Sequence, residues 1–179
     1  MGYPVFAAGN VLTAADMNAV GMWLVKRETI GTSVANFTVS GAFSTDYDDY
    51  RIVISGGSAS ADPFLNMTLG ATATGYYWTY LSHTYNNTSV SAASTTGTFW
   101  HVGTGSTNGY STVIDIRSPF LSRITTFHAN DIYIVNSTAG AWYKYGGHLN
   151  NTTSYTAFTI TASAGTLTGG TVSVYGYRK

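Results

Sequence analysis

From Trp23 to the C-terminus the chain reads as short apolar or alternating runs, each bounded by clusters of Gly, Ser, Asn and Asp. Runs at 23–30, 37–40, 50–55, 64–69, 76–84, 99–102 and 111–117 predict seven strands. Further runs at 124–130, 131–136, 141–149, 158–163 and 171–178 predict five more. Short strands at this spacing, with no helical period between them, imply an antiparallel β-sandwich, jelly-roll-like, rather than parallel βαβ units. Alternation assigns faces in the clearest runs. Phe158, Ile160 and Ala162 share one face, and Val172 and Val174 lie opposite Thr171, Ser173, Tyr175 and Tyr177. The Ser/Thr/Gly stretches 88–98 and 103–109 read as tip loops.

The first 22 residues break this pattern. Thr13 is an N-cap, Asp16 falls at the third helical position and Gly21 closes the turn, which predicts one short helix. Its apolar residues are too few to hold a helix in water, so it must lean on something else. The expected organisation is therefore an arm at 1–22 carrying the short helix, followed by a sandwich at 23–179.

Composition sharpens the fold class. Charged residues are 9% of 179, Glu occurs once, as Glu28, and Lys three times, while Ser and Thr together make about a quarter of the chain. Ordinary domains carry roughly 25% charge, much of it on helix surfaces. Outer strand faces built of Thr and Tyr are poorly suited to lone exposure and predict a homo-oligomer, with a trimer expected. The formal net charge is zero and the basic residues are scattered, which argues against nucleic acid and anionic membranes as partners. No long apolar span or basic leader is present, so synthesis as a soluble cytoplasmic product is expected. Cysteine is absent, which removes disulfides and thiolate metal sites.

Candidate chemistry is sparse. His83, His101, His128 and His148 lack metal-ligand spacing, and 46–49 lacks the glycine and distal glutamate of a calcium loop, so no cofactor is expected. Asp115 and Asp131 are the carboxylates in or beside strand-like runs that a glycan-cleaving site would need. Asp115 stands two residues from Arg117 on the same face, which reads as a structural ion pair. No nucleophile elbow, phosphate loop or dinucleotide fingerprint occurs. The aromatic groups Tyr76, Tyr77, Trp78, Tyr80 and Trp142, Tyr143, Tyr145 should each be about half core. Tyr77, Tyr85 and Trp100 punctuate Gly- and Ser-rich sequence and are the candidate sugar-stacking residues.

Residues 6–18, FAAGNVLTAADMN, resemble a segment near the start of many small bacteriophage virion proteins, of the form F-x-x-G-x-V-L-T-A-x-D-x-N. Residues 170–178 resemble the closing strand of phage tail-fibre and head-fibre sandwiches, and 43–52 is similar to a strand lead-in of the same kind of protein. The resemblance implies a non-enzymatic virion surface protein, a capsid decoration, head-fibre or tail-fibre component. It also implies attachment to other capsid or tail proteins through the N-terminal arm, where Phe6, Val11, Leu12 and Met17 are the expected contacts. The alternative it leaves open is a receptor-binding module for a host surface glycan, and a glycan-degrading enzyme stands third.

Overall fold

The computed structural model describes residues 21–134 and 139–177. The described chain is all-β. Its strands are β1 (Met22–Thr29), β2 (Asn36–Val39), β3 (Asp49–Ser55), β4 (Ser58–Ala59), β5 (Phe64–Leu69), β6 (Tyr76–Thr84) and β7 (Ser89–Gly97), followed by β8 (Trp100–Thr104), β9 (Ser111–Arg117), β10 (Thr125–Ile134), β11 (Gly140–Leu149), β12 (Phe158–Ala162), β13 (Leu167–Thr168) and β14 (Thr171–Tyr177). Eight form one sheet in the order β1-β14-β3-β9-β10-β11-β6-β7, four form a second in the order β2-β12-β5-β8, and β4 pairs with β13. The pairs within these sheets are antiparallel.

Alternation explains why the sheets face one another. In β3, Tyr50, Ile52 and Ile54 are buried while their neighbours are half-exposed, and β12 repeats the pattern with Phe158, Ile160 and Ala162. The inward residues of the large sheet meet Leu65, Met67, Leu69, Trp100 and Val102 of the small sheet in one core. β8 is the small-sheet strand that lies against β9, β10, β11 and β6. Full burial of such a Leu or Ile is worth roughly 1.5–3 kcal/mol, so this two-layer core is the main stabilising term.

Two tyrosines tie irregular segments to that core. Tyr76 Oη accepts from the Leu69 amide at 2.8 Å and donates to the Thr72 carbonyl at 3.0 Å. Tyr50 Oη treats Ser44 likewise, accepting from its amide at 2.8 Å and donating to its carbonyl at 3.0 Å. The short β4–β13 pair lies beside a crossing of Gly56-Gly57 with Gly169-Gly170. All four have positive φ, and a Cβ at Gly170 would overlap the Gly56 backbone, so only glycine fits there.

Three expectations change. The stretch 88–98, expected as a loop, contains β7, because its Ser, Thr and Ala residues complete the hydrogen bonding of β6 at the sheet edge. The runs 124–130 and 131–136 are joined in one strand, β10. Asn130 and Asp131 do not break it: Asn130 faces out while Asp131 turns inward to a hydroxyl partner. Within 103–109, β8 continues to Thr104 before the chain turns. The expected helix and the arm at 1–22 lie outside the described residues, apart from Gly21 and Met22.

Candidate functional site

The outer face of the eight-stranded sheet brings together Asp49, Arg51, Asp115, Arg117 and Lys144. Register places Arg51 opposite Asp115 and Asp115 opposite His128, so the three form a row across β3, β9 and β10. Arg51 Nε and Nη2 each reach one oxygen of Asp115 at 2.7 Å. Tyr177 Oη donates to Asp115 Oδ1 at 3.0 Å, and His128 Nε2 stands 3.2 Å from Oδ2. In the adjacent row Arg117 Nη1 lies 3.1 Å from Asp49 Oδ2, and Asp49 Oδ1 accepts from the Ser118 amide at 3.2 Å. The expected Asp115–Arg117 pair is therefore replaced by two cross-strand pairs. Residues i and i+2 lie roughly 6.6 Å apart along a strand, whereas directly opposed residues have Cβ atoms about 5 Å apart.

Burial alone would push the Asp115 carboxyl up, but the hydrogen bonds from Arg51 and Tyr177 and the nearby charges of Arg51 and His128 outweigh it and hold it below the usual range. The same bond to Asp115 raises Arg51, and burial followed by that carboxylate raises Tyr177. A carboxylate saturated with donors is an anchor rather than a proton donor. Asp131 points the other way. It is 2% exposed on the inner face, and burial pushes it up to about 7 although the Thr104 hydroxyl donates to Oδ2. Among the described residues its Oδ1 and the Tyr145 hydroxyl have no hydrogen-bond partner. Asp115 and Asp131 thus stand on opposite faces of one sheet and do not flank a common bond.

Two hollows mark the outer face. One, about 370 Å³, lies over Asp49, Arg51, Asp115 and Arg117 and is bounded by His128 and Tyr177. The other, about 430 Å³, lies over Gly146 and is bounded by His128, Lys144, Thr79, Leu81 and Ser91. Further along β11, Trp142 is 37% exposed, opposite Ile132 on one side and His83 on the other.

The three aromatics singled out from sequence do not form one site. Trp100 is fully buried in β8, stacked on Phe127 with ring centroids 4.5 Å apart, and its Nε1 donates to the His148 carbonyl at 3.2 Å. Expected as a sugar-stacking residue, it is instead a core anchor, within the strand that the run 99–102 predicts. Tyr77 faces out on β6, stacked on His148 at 4.7 Å. Tyr85 is 57% exposed at the β6–β7 turn, at the other end of β6. Phe6, Val11, Leu12 and Met17 lie outside the described residues. Sequence reading missed Arg51, Lys144 and Gly146 and considered His128 only as a metal ligand; the alternation along β11 puts Trp142, Lys144 and Gly146 on one face.

Among the described residues no group of three His, Asp or Glu side chains is arranged to hold a metal ion. In comparisons with known proteins the chain matches no family model, no curated sequence and no solved structure.

Proposed function

We propose that the chain is a structural protein of a bacteriophage particle, a capsid decoration, head-fibre or tail-fibre component. In this reading the segment 1–22 anchors it to other virion proteins and the sandwich is displayed as a homo-oligomer, a trimer. The observation that carries the reading is the string FAAGNVLTAADMN at 6–18, which stands directly before a sandwich whose buried core already runs from Ile30 to Val174. The chain also crosses repeatedly between the two sheets, as jelly-roll-like sandwiches do.

Oligomerisation is supported by contrast between the two edges of the large sheet. β1 carries Lys26, Arg27 and Glu28, a usual protection against stray pairing, and the ladders of both edge strands have a register shift. β7, SVSAASTTG, has neither charge nor proline, and Val90 on it is 49% exposed. An uncharged edge that meets a neighbour head to tail closes into a ring when the rotation allows it, and the proposed trimer is such a ring.

Receptor binding is the second reading, favoured by exposed Trp142 beside Lys144 on a rigid sheet face. The carboxylates on opposite faces give no support to glycan cleavage. The test is to image purified particles carrying a labelled form of this chain. Regularly spaced label on capsid or tail is expected; particles that never carry it would overturn the proposal.

A further inference from the structure

Gly146 is a glycine that the fold does not require. It lies inside β11 without a positive φ, and a Cβ there would meet nothing nearer than the Phe127 carbonyl oxygen at 3.8 Å. Its neighbour Gly147 is the opposite case, since a Cβ would overlap the Tyr77 carbonyl oxygen and approach Trp78 Cα at 2.9 Å. A glycine inside a strand weakens it, and where packing does not demand one it marks a place that a ligand or another chain approaches closely.

The missing side chain lies in a defined row. Arg51, Asp115, His128, Gly146 and Thr79 are successive partners across β3, β9, β10, β11 and β6. The hollow of about 430 Å³ over Gly146 and that of about 370 Å³ over the Arg51–Asp115 pair have His128 between them, so they line up across the sheet as a trough that His128 divides.

The charges along the trough are unevenly matched. Arg51 and Arg117 each face a carboxylate, whereas Lys144, exposed beside Gly146, makes no ion pair among the described residues. Around it stand an apolar side chain, Leu81, and the hydroxyls of Thr79 and Ser91. A sugar ring has matching chemistry: a C–H face for Leu81 and the bare Gly146 backbone, and rim hydroxyls for Thr79, Ser91 and His128.

We propose that the trough over Gly146 binds an acidic oligosaccharide, with a uronate-type ring on Gly146, its carboxylate on Lys144, and the chain continuing past His128 toward Arg51 and Asp115. This deepens the receptor-binding reading and does not depend on particle anchoring.

The test applies the purified full-length chain to an array of uronate-containing, sialate-containing and neutral oligosaccharides, followed by titration with oligogalacturonate and with its neutral methyl ester. Acidic glycans are retained and the ester is not. Gly146→Val weakens oligogalacturonate binding by at least about tenfold while melting temperature stays equal or rises. Lys144→Gln removes the preference for acid over ester, and binding of the unaltered chain falls with salt. Retention of no acidic glycan, equal binding of the ester, or full binding by Gly146→Val would each overturn the proposal. So would an oligomer that falls apart on Gly146→Val, since the hollow would then be a contact between copies. Particle incorporation of Gly146→Val stays normal, which separates failure here from failure of the virion reading.

Discussion

Arg51 and Asp115 meet across β3 and β9 through two bonds of 2.7 Å, and Tyr177 and His128 close on the same carboxylate. Asp115→Ala leaves those donors without their acceptor and should cost about 1–3 kcal/mol at pH 7. The pH dependence follows from the depressed pKa of Asp115. The unfolded carboxyl binds its proton near about 4, so the native bonus is present above that pH and is lost as pH falls through the lower folded value. Urea midpoints at pH 7 and pH 3 check this. The gap between Asp115→Ala and the unaltered protein should narrow at pH 3, and an unchanged gap would show that the ion pair does not set it.

Half-buried His101 and buried Asp131 pull stability in opposite directions with pH. Burial lowers His101 from 6.5 to about 4 and raises Asp131 from 3.8 to about 7. His101 is neutral in the fold, so its contribution grows as pH rises from about 4 to 6.5. Asp131 keeps its proton in the fold, so its contribution is full below 3.8 and drains away as pH rises to about 7. The two slopes largely cancel in the unaltered protein. Melting curves between pH 4 and 7 should therefore rise with pH for Asp131→Asn and fall with pH for His101→Gln. Parallel curves for the two variants would contradict the assignment.

Trp100 and Tyr85 separate core from surface. Trp100→Ala empties a site between Tyr76 and Phe127 and should cost about 3–5 kcal/mol. Tyr85→Ala, at an exposed turn, should stay within about 0.5 kcal/mol of the unaltered protein. Chemical denaturation of both variants measures the difference.

Much of the fold was legible because alternation survives wherever one face is buried, as in β3 and β12. β7 was not legible: both its faces are polar or small, so only its pairing with β6 identifies it as a strand. The Arg51–Asp115–His128 row was hidden for another reason. It joins residues 64 positions apart through β-sheet register, which local sequence does not display. Trp100 misled because the run 99–102 predicts a strand without showing which of its faces is covered, and β8 packs directly on the large sheet.

The uncharged β7 edge predicts how assembly can be broken. Val90→Lys combined with Ala93→Lys places charge on an edge that has none and should convert the oligomer to a monomer with little change in melting temperature. Light scattering at micromolar concentration reads the mass. A monomeric unaltered protein, both free and on particles, would contradict the oligomer itself.

Attachment through the N-terminal segment is tested most directly by removing residues 1–20, which carry Phe6, Val11, Leu12 and Met17, and measuring how much of the truncated chain joins assembling particles. The account predicts a soluble protein with an intact sandwich, melting as the full chain does, and none of it on the particles. Truncated protein incorporated at the level of the full chain would contradict it and place the anchor in the sandwich.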